Sequence, residues 1–168
     1  LYQGSATGPA TTPDWTQEGE HTSAWFGDGL DGVGDINADG FADVLVGAPG
    51  YSGAAGLESG KAYLYFGSSA GLDTSASWVA EGEQSYASFG LSVSGAGDVD
   101  GDGFADVLIG APNHTGAVGV QSGKVYLYHG FNGGLSATPD WTLEGEKVGA
   151  YLGFALGSAG DTNGDGYA

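Results

Sequence analysis

Apolar positions along this chain come in short alternating stretches separated by glycine-rich breaks, and no window carries an apolar period of 3.6 residues. Between residues 88 and 150 this patterning predicts four strands. Over 88–95, Phe89, Leu91 and Val93 alternate with Gly90, Ser92 and Ser94. The run 104–110 is apolar but for Asp106 and leads into Gly110-Ala111-Pro112. Over 123–130 the chain carries Val125, Tyr126, Leu127 and Tyr128, and over 141–146 Trp141 and Leu143 alternate with Thr142 and Glu144. Short strands joined by glycine-rich turns predict an antiparallel sheet.

The pattern recurs. Trp15, Trp78 and Trp141 are spaced by 63 residues, as are the Glu-Gly-Glu triplets starting at Glu18, Glu81 and Glu144 and the Leu-Tyr pairs at Leu1, Leu64 and Leu127. No gap is needed. A helix-free repeat of four strands predicts an all-β fold of β-propeller blades. The repeat is too long for a WD40 blade, and Asp-Trp at 14–15 and 140–141 reverses that family's dipeptide. The expected divisions are a partial blade 1–24, blades 25–87 and 88–150, and a truncated blade 151–168. That is about three blades where closed propellers have roughly 4–8. A piece of a longer propeller is the expectation; a homo-oligomer completing the ring is the alternative, and it leaves the joint blade without most of its second strand.

Composition sharpens the picture. The chain has 35 glycines, 21 acidic residues and 3 lysines, for a net charge of −18. Such a polyanion is repelled by nucleic-acid phosphates, so no nucleic-acid partner is expected. No apolar run is long enough to span a bilayer, so no membrane insertion is expected. The absence of cysteine rules out disulfides and thiolate metal sites. No leader peptide and no methionine occur, which points to a processed or partial chain.

The placement of the acids is more informative than their number. Between the first and second strands of each unit lies a spaced run of oxygen-bearing residues: Asp35, Asn37, Asp39, Phe41 and Asp43; then Asp98, Asp100, Asp102, Phe104 and Asp106; then Asp161, Asn163, Asp165 and Tyr167. Side-chain oxygens at loop positions 1, 3 and 5, a glycine at 6 and a backbone carbonyl at 7 match the first half of an EF-hand calcium loop. The bidentate glutamate of position 12 is missing, since Val46 and Ile109 stand there, and Asp43 and Asp106 at position 9 are the expected replacements. Hard oxygen donors without His or Cys favour Ca²⁺ over Zn²⁺ or copper, and a flexible cage favours it over Mg²⁺. Solvated Asx turns are the alternative for any one loop. Recurrence in one register argues against it. The second loop, with four acids, is expected to bind most tightly; the third, lacking position 9, most weakly.

Phe26-Gly27 and Phe89-Gly90, the loops that follow, and Gly47-Ala48-Pro49 and Gly110-Ala111-Pro112 resemble the FG-GAP repeat of integrin α-subunit propellers and secreted bacterial proteins. The resemblance implies a propeller, usually of seven blades, with structural calcium hairpins on the face opposite the ligand-binding loops. It also implies an extracellular or cell-surface setting and a role in adhesion. The third unit departs, with Leu152-Gly153 and no Gly-Ala-Pro. Asp28 and Asp31 fall where the other units have Leu91 and Phe154, and Ser94 and Gly157. That strand is expected to be frayed, solvent-lined or close to a cation.

No enzyme is expected. His21, His114 and His129 sit at different phases of the repeat. Ser-Gly-Lys at 59–61 and 122–124 lacks the spacing of a phosphate loop and reads as the turn into the third strand. The Glu-Gly-Glu triplets read as a solvated edge. The expected function is a calcium-stabilised binding or scaffolding module for a protein or glycan partner, contacted through 51–58 and 113–121. An accessory propeller of a larger secreted hydrolase, or a self-assembling structural subunit, is the alternative.

Overall fold

The computed structural model describes all 168 residues. It contains no helix and twelve strands: β1 Gly4–Ser5, β2 Gly8–Pro9, β3 Leu30–Gly34, β4 Asp43–Ala48, β5 Lys61–Tyr65, β6 Trp78–Glu81, β7 Ser92–Gly97, β8 Asp106–Ala111, β9 Lys124–Tyr128, β10 Gly130–Phe131, β11 Gly134–Leu135 and β12 Trp141–Glu144. Two antiparallel four-stranded sheets carry the fold, ordered β3-β4-β5-β6 and β7-β8-β9-β12. Each is an antiparallel meander, with the small β10-β11 hairpin interposed between β9 and β12 in the second, the topology of a propeller blade. The array is a partial propeller and is not closed.

The central strands β4 and β5 are buried along almost their whole length. This explains the continuous apolar run of Val44, Leu45 and Val46, since both sheet faces are covered. Leu45, Leu64 and Val33 of the first sheet meet Val93, Ile109 and Tyr126 of the second in one core, joined by Phe89 from the segment between them. The far face of the first sheet, with Val46, Tyr63 and Tyr65, is covered by Trp15, Ala24 and Phe26. The sheets approach closely where glycine allows it: a Cβ on Gly47 would lie 1.8 Å from the Gly90 carbonyl oxygen, and one on Gly110 2.0 Å from that of Gly153.

Two predicted features are corrected. The first strand of the second unit starts at Ser92, not 88. Ser88 and Gly90 have φ of 56° and 85°, which breaks an extended strand, and Phe89 instead forms a parallel bridge to Gly60 of the preceding sheet. The strand bearing Asp31 is solvent-lined as expected, with Leu30, Gly32 and Gly34 exposed, and the Asp31 carboxylate accepts the Gly95 N–H of the next sheet at 3.0 Å. The Glu-Gly-Glu triplets are not a free edge. Glu81 and Glu144 cap the turns at Ala54 and Ala117 by accepting their N–H groups at 3.2 and 2.9 Å.

The last residue of the first two triplets ties units together. Glu20 pairs with Lys61 at 3.1 Å and Glu83 with Lys124 at 3.0 Å. The Trp15 indole donates to the Asp73 carbonyl at 2.9 Å, and Trp78 to Ser136 at 3.0 Å. Both indoles meet a tyrosine edge-on, Tyr65 at 5.1 Å and Tyr128 at 5.0 Å. The same contacts recur one repeat apart.

Candidate metal centre

The first two acidic runs lie where the first strand of a sheet turns into the second, and the third follows the same loop path without flanking strands. The turn is set by a bulge at Gly32/Gly34 and at Gly95/Gly97, where the glycines Gly34 and Gly97 take φ of 83° and 80°. Gly40, Gly103 and Gly166 at loop position 6 take φ of 92°, 93° and 95°, the reversal that folds the acids inward.

Loop geometry is shared. In the first loop Asp35 Oδ1 accepts the Asp39 N–H at 3.0 Å and its Oδ2 that of Gly40 at 2.7 Å. Asn37 donates from Nδ2 to Asp39 Oδ2 at 3.0 Å, and Asp39 Oδ1 accepts from Phe41 at 2.9 Å. In the second, Asp98 accepts from Gly101, Asp102 and Gly103 at 2.7, 3.1 and 2.9 Å, Asp100 from Asp102 at 3.1 Å and Asp102 from Phe104 at 2.9 Å. The third repeats this with Asp161 accepting from Gly164 and Gly166, Asn163 from Asp165, and Asp165 from Tyr167. Donated N–H groups, that of Gly166 foremost, hold the Asp161 carboxyl below its ordinary range. The carbonyls of Phe41, Phe104 and Tyr167 accept no hydrogen bond within the chain.

Position 9 differs in kind. Asp43 and Asp106 are fully buried. Asp43 accepts the N–H of Ile36 and of Gly67, both at 2.8 Å; Asp106 accepts those of Val99 at 2.7 Å and Gly130 at 2.8 Å. Burial pushes both carboxyls up, opposed by these N–H groups and reinforced by the neighbouring loop acids. Each carboxylate thus clamps its loop to the end of the third strand.

One group of three carboxylates converges. Single oxygens of Asp98, Asp100 and Asp106 all lie within 4.8 Å of one another. That spacing is about twice a Ca²⁺–oxygen distance of roughly 2.3–2.6 Å, so the donor set fits the ion. Asp102 stays outside the group, and in the first loop Asn37 replaces the middle carboxylate. The basic side chain at the second loop is His129, whose Nδ1 lies 3.0 Å from Asp100 Oδ2. Sequence reasoning missed it, because its repeat counterparts Gln3 and Phe66 give no hint of a contact.

Comparison with known families matches the model of the FG-GAP repeat at residues 26–65 and 89–128. The chain carries two FG-GAP repeats. Each match runs from the Phe-Gly pair to the third strand, so the acidic hairpin lies inside the FG-GAP unit. The chain is similar to integrin alpha-6 of Gallus gallus, 34% identical over 89% of this chain and 13% of that protein. It is similar to integrin alpha-3 of Mus musculus, 34% identical over 87% of this chain and 14% of that protein. It is also similar to phosphatidylinositol-glycan-specific phospholipase D of Homo sapiens, 37% identical over 78% of this chain and 16% of that protein. The chain therefore spans less than a fifth of the length of these curated relatives.

Proposed function

We propose that the chain is a calcium-braced section of propeller that presents the ends of its blades to a protein or glycan partner and performs no chemistry of its own. The convergence of Asp98, Asp100 and Asp106 carries the reading. Oxygens this close repel one another; His129 sits against Asp100 alone, and a cation held between all three relieves the repulsion. The proposed ligands are Asp35, Asn37, Asp39, Asp43 and the Phe41 carbonyl; Asp98, Asp100, Asp102, Asp106 and the Phe104 carbonyl; and, in the third loop, Asp161, Asn163, Asp165 and the Tyr167 carbonyl. A bound Ca²⁺ supplies charge neutralisation and a cross-link across the hairpin. The side chains themselves fix loop shape, through the N–H groups they accept.

Strands in a meander alternate in direction, so the acidic hairpins share one end of the blades and the turns at 49–60, 82–91, 112–123 and 145–153 share the other. That second end is the proposed partner surface. Trp25, Leu57, Tyr86, Val120 and Val148 are exposed there, and Trp25 and Tyr86 hold φ of 54° and 60°. An L-residue in this region costs about 1–2 kcal/mol, so the rest of the fold must hold these turns in place. Between them is a cleft of about 410 Å³ lined by Glu58, Tyr86, Asn113 and Gln121. The turns expected to contact the partner, 51–58 and 113–121, share one backbone shape, closed by Gly53–Gly56 and Gly116–Gly119 bridges. Only their side chains differ. An extracellular setting suits this reading, because sites of this class bind at roughly 10⁻⁴–10⁻³ M calcium.

Thermal melts with 10 mM Ca²⁺, 10 mM Mg²⁺ or chelator test the proposal. Mass action at ten to a hundred times the dissociation constant gives about 1.4–2.7 kcal/mol, a rise of several degrees for Ca²⁺. Equal melting in all three would refute it. The similarity to a phospholipase D favours a second reading, an accessory propeller beside a catalytic domain. Glycan arrays probed with the chain separate the two: a glycan ligand lost with Tyr86→Ala supports a recognition surface, and no ligand of any kind favours the accessory role.

A further inference from the structure

The cleft of about 410 Å³ at the turn end lies between the two complete sheets, and every residue that lines it falls between 58 and 121, away from both chain ends. Its side chains are not those the repeat demands. The tryptophans, glutamates and lysines of the junctions recur 63 residues apart, whereas the phase of Tyr86 carries Ser23 and Gly149, and that of Asn113 carries Gly50. All three residues at the Tyr86 phase are left-handed, with φ of 63°, 60° and 69°. Glycine adopts that backbone without strain, while Tyr86, 55% exposed, gains little packing in return for it. A strained aromatic of this kind marks a site of recognition. The space beside it comes from one exchange. In the first junction a Cβ on Gly50 would lie 2.3 Å from the Ser23 carbonyl oxygen and 3.1 Å from the Trp25 ring, so no side chain fits there. In the second, Ser88 stands at the phase of Trp25, and Asn113 donates from Nδ2 to Ser88 Oγ at 2.9 Å.

The polar groups left over define the ligand. With Asn113 Nδ2 committed to Ser88, its Oδ1 remains as an acceptor; Gln121 Oε1 accepts the Tyr151 hydroxyl at 2.8 Å, so its Nε2 remains as a donor. Glu58 is anchored through its backbone: its N–H donates to Ser52 Oγ at 3.1 Å and its carbonyl accepts the Ser88 N–H at 3.1 Å, which leaves the carboxylate free. No lysine, arginine or histidine lines the cleft, so an anion would meet only Glu58 and be repelled. An apolar ligand would desolvate these groups without pairing them. A cation uses acceptors alone and leaves the Gln121 donor idle. Hydroxyl groups donate and accept at once, and a tyrosine offers a rigid amphipathic face at low entropic cost. We propose that this cleft binds an uncharged sugar, a terminal pyranose of a neutral glycan. Tyr86 packs on its C–H face, Glu58 and Asn113 accept from its hydroxyls, and Gln121 donates to one. The volume is within the roughly 300–1,000 Å³ of small-molecule sites. The assignment rests on the reading of this end as the partner surface, and narrows the partner to one class.

Saturation-transfer NMR on the 168-residue chain tests the methyl glycosides of glucose, galactose, mannose and N-acetylglucosamine. N-acetylneuraminic acid and Nα-acetylargininamide are the anionic and cationic controls. We expect at least one glycoside to receive saturation and neither control to do so. Tyr86→Gly weakens that glycoside by about fivefold or more. The same variant keeps the melting temperature or raises it by up to about 2–4 °C, because the left-handed strain is relieved. Ser88→Trp with Asn113→Gly copies the closed arrangement of the first junction and abolishes the signal; where this pair does not fold, Tyr86→Gly decides alone. Silence from all four glycosides, a response from N-acetylneuraminic acid, a signal that survives Tyr86→Gly, or a melting temperature lowered by it overturns the proposal. Binding of Nα-acetylargininamide in place of every glycoside overturns the sugar and leaves the partner surface standing. Silence of all the probes, with no gain in stability from Tyr86→Gly, removes both.

Discussion

Asp106 accepts the backbone N–H of Gly130 at 2.8 Å, across 24 residues of chain. Its other oxygen takes Val99 at 2.7 Å, so one buried side chain fastens both the acidic hairpin and the end of β9. Asp106→Ala leaves the buried Gly130 N–H and the half-buried Val99 N–H without partners. At about 1–3 kcal/mol for each, partly offset by removing a buried charge, the expected loss is about 2–4 kcal/mol. Asp106→Asn keeps one acceptor and loses less. Urea melts of the two variants in chelator check the ordering, which is independent of any ion.

Calcium titration by calorimetry is expected to resolve the loops. Asp98→Asn or Asp100→Asn removes the tightest site and weakens it by at least about tenfold, since a charged donor is replaced by a neutral one. Asp35→Asn affects a weaker site, and Asp161→Asn the weakest, because no ninth-position carboxylate backs that loop. Equal effects of all three would contradict the assignment of Asp106 and Asp43 as ligands.

His114 is buried, and its Nδ1 has no hydrogen-bond partner. Desolvation, and then the Lys124 ammonium, hold its pKa below the usual 6.5, with Glu144 and Glu83 opposing. The unfolded chain therefore takes up a proton near pH 6.5 that the folded chain resists. Stability is full above that value and falls as the pH drops toward the depressed folded value. His114→Tyr installs the residue found at the same phase in the first unit, Tyr51, over whose ring Lys61 sits at 4.6 Å. The variant is expected to lose the part of the melting-temperature decline between pH 7 and 5.5 that wild type owes to this histidine.

Gly47→Ala and Gly110→Ala place a methyl group within 1.8 and 2.0 Å of a carbonyl oxygen in the adjoining unit. The sheets must part, which costs about 2–3 kcal/mol each by thermal melt. Gly32→Ala, which meets no atom within 4 Å, is the control and is expected to change little.

The fold was legible because its evidence is periodic. Residues such as Trp15, Trp78 and Trp141 fix the unit, and the Asp-x-Asp-x-Asp-Gly spacing fixes a hairpin whose geometry is decided within a few residues. What the chain concealed is long-range. That Asp106 reaches Gly130, that Glu83 reaches Lys124 in the next unit, and that His129 reaches Asp100 depends on how sheets stack. Local patterning carries no record of this. Phe89 was assigned to a strand because its hydrophobicity alternates correctly; the left-handed backbone of Ser88 and Gly90, imposed by the junction, takes it out of the ladder.

Because every unit touches only the units before and after it, damage in this molecule stays local, and its thermal behaviour is that of a short linear chain of coupled elements. The segment 82–90, wedged between two complete sheets, is the hinge pin of the assembly. Heat should strip the outer segments first and release this centre last, so amide exchange read along the backbone would rise toward either terminus.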